Sequence, residues 1–553
     1  MESGMEWLQA VSVLQLEKKD KESDGGFVEV EEGLKKQTSV WYIAGKLILT
    51  LYLYLIGYFY TLSYPLSWTS PIRLIVIYLF VHCICEWLGK RKLKLLAVPR
   101  KMNWKFGLVI FLLSALILGI YYLAYYPGGI IIDSFNQWYQ VQKGNYVDWH
   151  PVIHTLLFMK LPSLICNNFA FVDFVQMVWI AAACAYLGMV LEHWGVLKTC
   201  IIAAIGVSLF TPASAIVLSF CWKDTALSIF AILLAGQITE IVCSDGKWLK
   251  KWHHILAFSG TGALAMLMRH NGVLLVGPML LLLVILYWKN VKQYAIVTGI
   301  MTMVIVAAIK GPFYRMMHVQ SHSQVTAEML GVSMTILANI LVNEPEALDP
   351  ECLEFLYRIG DQEMWEANYR EGSWNSAKWM GDDISNDVIE EEGAEKILEY
   401  TWHAVQKSPY YAYRAVVKLF EVVWKPFGKQ VTWSYYVNIQ ENNGFGYVTE
   451  GNTFLQNVLD KVRAWSVNGG ILLTWGWHVG FYLLLLAFVG VSKLKYDLKK
   501  CVCWLPVLAY DFGTALLLCG PDFRFFSFNT VITFPLLLVM MGERKEEIGY
   551  EAD

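Results

Sequence analysis

The stretch "FGLVIFLLSALILGIYYLAYYPGGIIID", from Phe106 to Asp133, decides the class of fold. It carries no charged side chain before Asp133, and its apolar part reaches the roughly 20 residues that a helix needs to cross a bilayer. Pro127, Gly128 and Gly129 then predict an exit turn, in which the glycines permit either flexibility or the close approach of a ligand. We therefore interpret the stretch as a membrane-spanning helix that ends beside a carboxylate.

The composition of the whole chain is that of a polytopic membrane protein. Of its 553 residues, 56% are hydrophobic and 16% are charged, whereas roughly a quarter of the residues of soluble domains are charged. The formal net charge of -3 indicates no class of partner, because the distribution of charge along the chain matters more than its sum. The 11 cysteines lie mostly in or beside apolar segments, so we interpret them as small apolar residues without a disulfide or zinc framework.

Apolar segments of sufficient length recur along the chain and predict an all-α polytopic membrane protein of about twelve spans. The segments begin near Trp41, Ile72, Phe106, Val172, Cys200, Thr225, Ile255, Gly272, Tyr294, Gly470, Cys501 and Phe526.

The loops between these segments predict the orientation of the chain, because short cytoplasmic loops collect Lys and Arg. Residues 40–105 hold the first two spans and a loop with seven positive charges, and the alternate loops are also basic. The N-terminal segment of residues 1–39 and the tail of residues 542–553 are then cytoplasmic. Because the third span runs outward, we expect the loop of residues 126–171 on the extracytoplasmic face.

The segment between the ninth and tenth spans is too long and too polar for a loop. We predict that residues 311–468 form an extracytoplasmic soluble domain of mixed structure. This domain separates the membrane core of residues 106–310 from the C-terminal spans of residues 469–541.

Two stretches of the predicted soluble domain are open to more than one interpretation. Residues 344–399 carry 17 Asp and Glu against 4 Lys and Arg, a net charge of -13, which indicates either a solvated face or a cation site such as Asp382 and Asp383. The aromatic stretch of residues 431–447 is interpreted either as ordinary β-rich packing or as a surface that stacks on sugar rings and selects an acceptor glycan.

Short outer turns carry cations, although the orientation rule places cations on the other side. Each one alone is explained by a side chain that snorkels to a headgroup or pairs with a neighbouring carboxylate. Three such turns facing one loop rich in carboxylate and imidazole instead predict an anion pocket at the outer membrane surface. The turns are Lys223 and Asp224 in "CWKDT", Arg269, His270 and Asn271 in "LMRHNGV", and Asp522 and Arg524 in "GPDFRFF".

The outer loop of residues 126–171 supplies the carboxylate and imidazole groups. Asp133 follows three isoleucines at the membrane boundary, where a lone carboxylate is costly unless it caps a helix or takes part in chemistry. His150 and His154 share a helix face, a spacing compatible with metal ligation but without a clear third ligand. We expect instead that Asp148 caps a short interfacial helix and that His150 points toward the anion.

An outer-face site of this kind suits transfer from a lipid-borne donor. Outside the cytoplasmic membrane there is no supply of ATP or nucleotide sugars, so an activated donor must arrive dissolved in the lipid, as a polyprenyl-phosphate sugar does. Its phosphate leaving group has a second pKa of about 6. Departure therefore needs cations such as Lys223, Arg269 and Arg524, and no general acid. The attacking hydroxyl needs a base, for which Asp133 is the best candidate.

Several motifs in this order also resemble a known superfamily. The order "YPGGIIIDSFNQ…DWHPVIHTLL", then "WKD", then "RHNG", then "DFRFF…P" is similar to that of the C-type glycosyltransferases, which include protein O-mannosyltransferases and aminoarabinose transferases. The similarity is closest to a bacterial branch. It covers roughly Phe106 to Trp288 and the end of the chain, and it does not cover the predicted soluble domain.

The resemblance implies specific roles. The superfamily places a catalytic carboxylate in the first large outer loop, which implies that role for Asp133. Its basic residue before a glycine is matched by Arg269 and Gly272, and its late Arg-aromatic pair by Arg524 and Phe525. The full predicted site has Asp133, Asp148 and His150 as catalytic residues, Lys223, Arg269, His270 and Arg524 at the donor phosphate, and Asn136, Gln137, His154, Asp224 and Asn271 at the substrate.

The chain departs from the superfamily pattern in three ways. Two spans precede the one equated with the family's first helix, and the predicted soluble domain lies between spans rather than at the C-terminus. Asp133 is followed by Ser134, so the loop lacks the paired acidic motif of several members. This departure leaves a divalent metal open as a cofactor, with no residue assigned to it, and makes Asp148 a possible second acid.

The rival interpretation is a multi-span transporter or a flippase for lipid-linked sugars. Transporters concentrate ionisable groups near the middle of the bilayer, and the chain has few, notably Lys46 and Asp511. An interhelical hydrogen bond also explains Asp511. A non-catalytic assembly or receptor protein would leave the outer cations unexplained.

The expected partners follow from the glycosyltransferase interpretation. They are a polyprenyl-phosphate sugar, membrane lipid and a glycan, protein or lipid acceptor, and they include no nucleic acid. We expect a multi-pass protein of the cell membrane with its active site on the extracytoplasmic face.

Overall fold

The computed structural model is almost entirely helical. It describes residues 24–63, 70–321, 325–378, 387–428, 437–441, 443–470 and 474–544. Helices account for 78% of the described residues, and within these ranges the strands are β1 (Leu93–Leu95) and β2 (Gly542–Arg544). This architecture agrees with the prediction of an all-α membrane protein.

The first part of the chain forms helices α1 to α12. Asparagine side chains cap two of them: Asn103 accepts a hydrogen bond from the Phe106 amide at 3.2 Å, and Asn168 accepts one from the Ala170 amide at 2.8 Å. The helices are α1 (Asp24–Thr61), α2 (Ser70–Lys90), α3 (Trp104–Ala124), α4 (Ile132–Lys143), α5 (Val152–Ser163), α6 (Phe169–His193), α7 (Lys198–Phe210), α8 (Pro212–Leu218), α9 (Lys223–Cys243), α10 (Trp252–Met268), α11 (Val273–Leu286) and α12 (Trp288–Met316).

Helices α13 to α22 follow, and α23 to α25 end the bundle. They are α13 (Val325–Met329), α14 (Gly331–Asn343), α15 (Pro350–Ile359), α16 (Gln362–Asn368), α17 (Trp374–Lys378), α18 (Asp387–Glu392), α19 (Ala394–Lys407), α20 (Pro409–Leu419), α21 (Glu421–Trp424), α22 (Thr453–Asn468), α23 (Val479–Lys493), α24 (Leu505–Ala515) and α25 (Phe528–Met541).

Seven helices in the described ranges are long and apolar enough to cross a membrane. An eighth is obtained if α7 and α8, which meet at an angle of 70°, form one broken span. The break lies at Thr211, whose extended backbone (φ -60°, ψ 120°) follows from the proline at 212, because a residue before proline is driven out of the helical region. The seven are Val40–Thr61 of α1, α2, α3, α6, α9, α12 and Phe523–Met541.

The other predicted spans correspond to shorter helices. The segments expected to begin near Ile255, Gly272, Gly470 and Cys501 form α10, α11, α23 and α24, which have 17, 14, 15 and 11 residues. A crossing takes about 20 residues, so the number of twelve spans stays a prediction.

Helix α9 lies at the centre of the bundle. It packs against α6, α10 and α25. Of the residues in its apolar 18-residue stretch, 89% are buried inside the protein. The 21 residues of α9 extend for about 30 Å at 1.5 Å per residue. Its two ends therefore lie near opposite ends of the bundle.

The basic loops meet at the C-terminal end of α9. Strand β1, in the loop after α2, pairs in parallel with β2 at the end of the last helix. Lys493 donates from Nζ to the Arg91 carbonyl oxygen at 2.6 Å, and Lys499 forms an ion pair with Asp245. The orientation rule predicts that this end of the bundle faces the cytoplasm.

The segment predicted as a mixed soluble domain is mainly helical where it is described, and the described residues between α21 and α22 are not helical. Its helices α13 to α20 bury a second apolar core that is separate from the main one and includes Cys519. In α15 the buried residues Cys352, Phe355, Leu356 and Ile359 recur at helical spacing. This periodicity explains why the expected mixed structure is replaced by helices. Asp382 and Asp383 lie outside the described residues.

The aromatic stretch of residues 431–447 is described in part, and residues 431–436 and 442 lie outside the described ranges. Phe445 stacks on Phe135 of α4 with 5.9 Å between ring centroids, and Tyr447 contacts Phe169 at 6.2 Å. The described rings thus pack against the loop of residues 126–171.

Candidate functional site

A tight turn places α4 beside the N-terminal end of α9. Gly128 has a φ of +119°, and a Cβ atom there would lie 2.5 Å from Oδ2 of Asp173. A Cβ atom at Gly129 would lie 2.5 Å from the Phe220 ring. The two glycines therefore allow the close approach of the protein's own side chains. Helix α4 begins three residues later and carries Asp133 in its first turn.

Asp133 lies between two cations that come from distant parts of the chain. Its Oδ2 accepts a hydrogen bond from Nη1 of Arg524 at 2.9 Å and lies 4.0 Å from Nζ of Lys223. The three side chains are 20%, 16% and 15% exposed, in the order Asp133, Arg524 and Lys223. The cluster is thus partly buried but open to the solvent. We call Asp133, Lys223 and Arg524 the anion cluster.

Arg524 is held in place by its neighbours. It lies in a short 3-10 helix, Phe523–Phe526, whose first residues are capped by Asp522: its Oδ1 accepts from the Arg524 amide at 3.0 Å. Oδ2 of Asp522 lies 3.0 Å from Nε of Arg524. The guanidinium also lies over the Trp222 ring, 5.2 Å from its centroid. These contacts fix the charge that faces Asp133.

His150 joins the cluster through Lys223. Nζ of Lys223 lies 2.9 Å from Nδ1 of His150, so the ammonium donates and the imidazole nitrogen accepts. Burial and the charge of Lys223 hold the pKa of His150 well below its ordinary value, which keeps the ring neutral. His150 thus orients Lys223.

The pKa of Asp133 reflects a balance of burial and charge. Burial raises it, and the positive charges of Arg524 and Lys223 outweigh burial, so that the pKa of this carboxyl lies below its ordinary value. Asp133 is therefore ionised at neutral pH.

The second predicted cation, Arg269, pairs with a different carboxylate. Its Nη1 contacts Oδ1 of Asp224, and the two side chains are 11% and 1% exposed. The Arg269 guanidinium lies 4.4 Å from the centroid of the Phe525 ring. The Arg524 guanidinium lies 5.1 Å from the same centroid. Both guanidinium groups thus contact the Phe525 ring, and Arg269 belongs to a closed pair next to the cluster.

Gly272 allows the chain to turn tightly after Arg269. A Cβ atom at this position would lie 2.5 Å from the Ala265 carbonyl oxygen. Only glycine fits this close contact of backbone with backbone. Asn271 in the same turn donates to Thr514 Oγ1 at 2.8 Å, so it joins α24 to the turn instead of facing a substrate.

Two residues that were predicted to contact the substrate are buried inside the protein. His154 is fully buried and Gln137 is 1% exposed. Nε2 of Gln137 lies 2.9 Å from Nδ1 of His154 and 2.8 Å from Oγ1 of Thr155. These two contacts give Gln137 and His154 a packing role between α4 and α5 in place of the predicted contact with substrate.

The remaining predicted residues lie at or beyond the edge of the cluster. The expectation that Asp148 caps a helix is wrong, because the residue before α5 is Pro151 and no side chain caps that end. Asp148 makes no hydrogen bond to the anion cluster within the described ranges, and its Oδ1 is buried without a partner there. His270 is exposed with Nδ1 3.5 Å from Nζ of Lys310, and Asn136 is exposed on α4.

Sequence reasoning missed two residues that matter for this site. Trp222 supplies the ring under Arg524, and its position directly before Lys223 was the available signal. Asp173, in α6, is fully buried and neither of its oxygens has a hydrogen-bond partner among the described residues. A carboxylate inside an apolar span is itself a signal of function.

The described residues contain no group of three or more His, Cys, Asp or Glu side chains that could hold a metal ion. His150 and His154 in particular contact different partners, Lys223 and Gln137. A search of protein-family models, of curated proteins and of solved structures finds no match to this chain.

Proposed function

We propose that the protein is a membrane glycosyltransferase that moves a sugar from a polyprenyl-phosphate donor to an extracytoplasmic acceptor with inversion. The observation that carries the proposal is the anion cluster: Lys223 and Arg524 lie 4.0 and 2.9 Å from one carboxylate, Asp133. These residues lie at the end of α9 away from the basic loops.

The donor phosphate is the proposed partner of the two cations. Arg524 and Lys223 are partly exposed, so the phosphodiester group of an incoming donor can take the charge-assisted hydrogen bonds that Asp133 holds in its absence. As the bond between the anomeric carbon and the phosphate oxygen breaks, that oxygen keeps the electron pair. The cations stabilise the charge that develops there.

Asp133 is the proposed general base. In the resting cluster its pKa is lowered by the cations, which makes it a weak base. Transfer of those cations to the donor phosphate returns its pKa toward the ordinary range, so that donor binding activates the base. The acceptor hydroxyl then attacks the anomeric carbon on the face opposite the phosphate and gives its proton to Asp133.

A transporter or flippase is the second candidate, and one observation favours it. Asp173 is a carboxylate inside a candidate span, buried and without a hydrogen-bond partner among the described residues, as expected of a residue on a transport pathway. Asp511, the other feature of this kind, accepts from Nδ2 of Asn529 at 2.9 Å. An interhelical hydrogen bond therefore accounts for Asp511.

Proteoliposomes that hold a radiolabelled polyprenyl-phosphate sugar and a cell-envelope acceptor fraction separate the two candidates. We expect label to appear on the acceptor, and Asp133→Asn to reduce this transfer by about 100- to 10,000-fold, the range of general base catalysis. Glu441→Gln is a matched control, because Glu441 is an exposed carboxylate on a segment that pairs with the outer loop.

Translocation of the labelled lipid without transfer, with loss of translocation in Asp173→Asn, would replace the enzyme by a flippase. Near-normal transfer in Asp133→Asn would remove Asp133 as the base.

A further inference from the structure

A cavity of about 500 Å³ lies at the other end of α9, among the basic loops. Residues from the loop before α3, from the ends of α6 and α9, and from the turn before α10 line it. Since α9 extends for about 30 Å, this cavity is a different site from the anion cluster. Its lining includes His193, Trp194, Glu240, Lys247, Trp248, Lys251 and His254.

Protein groups in the wall already satisfy the one carboxylate of the cavity. Glu240 is 4% exposed; its Oε2 accepts from Nε1 of Trp194 at 3.0 Å, and its Oε1 lies 3.8 Å from Nε2 of His193. His254 is held on the other side, stacked on Trp248 with 4.1 Å between ring centroids. The inner wall is therefore largely aromatic, and its carboxylate is hydrogen-bonded within the protein.

The rim, in contrast, presents exposed cations. Lys247 and Lys251 are exposed and form no ion pair with any residue of the described ranges. Other lysines at this end hold the loops together: Lys499 pairs with Asp245, and Lys500 donates to the Gly542 carbonyl oxygen at 2.6 Å. Two exposed ammonium groups beside aromatic walls are suited to an anion with an apolar part.

We propose that this cavity binds a phosphate group. The volume suits a small anionic group, and each lysine near a membrane surface attracts an anionic lipid. Trp252, beside the rim, is 62% exposed and apolar, which favours a phosphate carried by a membrane lipid over one free in solution, because tryptophan lies at headgroup level. The proposal stands on this cavity alone and does not depend on glycosyl transfer at the other end.

The test uses the full chain in nanodiscs of phosphatidylcholine. One arm adds phosphatidylglycerol to the bilayer and measures by native mass spectrometry how many of these lipids the protein retains and how tightly. The other arm adds inorganic phosphate to the solution and measures the shift of the thermal unfolding midpoint against chloride at equal ionic strength.

The informative variant is Lys247→Gln with Lys251→Gln. We expect the affinity for the most tightly bound phosphatidylglycerol to fall roughly 30-fold, because each of the two lysines near an anionic membrane surface contributes about a fivefold increase in affinity. Lys250→Gln with Lys289→Gln removes the same charge from exposed positions at the same end but outside the cavity lining, and should bind as the unaltered chain does.

A midpoint shift with inorganic phosphate, lost in the first variant, would support the site and assign it to soluble phosphate. Equal lipid retention in both double variants, with no midpoint shift on addition of phosphate, would overturn the proposal. Lys247→Arg with Lys251→Arg keeps the charge and should retain binding, which separates loss of charge from loss of structure.

Discussion

Two carboxylate-guanidinium pairs lie side by side at one end of the bundle and differ mainly in access. Asp133 and Arg524 are 20% and 16% exposed, whereas Asp224 and Arg269 are 1% and 11% exposed. Both pairs combine the same chemical groups. An ion pair is therefore a candidate binding site only where water, and with it another anion, can reach the charged groups.

The difference in access has a structural cause. Asp224 lies in the first turn of α9, the most deeply buried span, and the Phe525 ring covers Arg269. Asp133 is the second residue of α4, a polar helix in the loop of residues 126–171. The closed pair is therefore part of the protein core, and the open pair is able to exchange its partner.

The largest expected effect tests the closed pair. Asp224→Asn leaves the Arg269 guanidinium buried beside an uncharged amide, and removal of one partner of a buried pair costs about 3–5 kcal/mol. Asp133→Asn, at the open pair, should change the free energy of unfolding by less than about 1 kcal/mol. Thermal unfolding of both variants in one detergent, followed by circular dichroism, measures this difference. Equal losses would show that exposure does not distinguish the pairs.

A smaller effect is expected on donor use at the open pair. Arg524→Gln removes a charged hydrogen-bond donor, which contributes about 1.5–3 kcal/mol, so kcat/KM for the lipid donor should fall roughly 10- to 100-fold. Lys223→Gln should act in the same direction. Arg524→Lys keeps the charge but loses the planar fork, and should recover part of the loss. Unaltered donor kinetics in both glutamine variants would contradict the role of the cluster.

The smallest effect is a pH dependence that His150 adds to the open pair. Its pKa is lowered in the folded protein, while the unfolded chain has the ordinary value of about 6.5. Below that pH the unfolded state binds a proton that the folded state does not. Stability should therefore fall as the pH falls from about 6.5 to 5, by at most about 1.4 kcal/mol per pH unit.

His150→Gln should reduce this slope, as measured by unfolding across the same range. Asp133 does not contribute there, because its ordinary pKa of about 3.9 lies below the range and its folded value is lower still. His253→Gln, at an exposed ring, is the matched control. An unchanged slope in His150→Gln would show that Lys223 does not keep this ring neutral.

Much of the fold was predictable, because a long apolar run has one structural solution in a membrane. The longest apolar runs form the helices that are long enough to cross a membrane. The break at Thr211 follows from the proline after it. The mixed structure expected of residues 311–468 was wrong where the segment is described, since helical periodicity in α15 was overlooked among its many charges.

The site was predictable only in part. Clustered charges on outer turns indicated Lys223 and Arg524, and the structure brings both to Asp133. The same argument indicated Arg269, which instead pairs with Asp224. The prediction that His154 and Gln137 contact substrate failed for a similar reason. The sequence of the loop shows that both residues are polar, but not that their side chains are buried against each other.

The sequence by itself determined that this chain is a bundle of apolar helices with basic loops at one end and a carboxylate and cations on the turns that alternate with them. Those features are local, since hydropathy and loop charge act over about 20 residues. Only the tertiary structure decided which cation meets which carboxylate, and which pair stays open. Those contacts join residues hundreds of positions apart, such as Asp133 and Arg524, and depend on how the helices pack. The cavity beside Lys247 and Lys251 was decided in the same way, because its walls come from four separate parts of the chain.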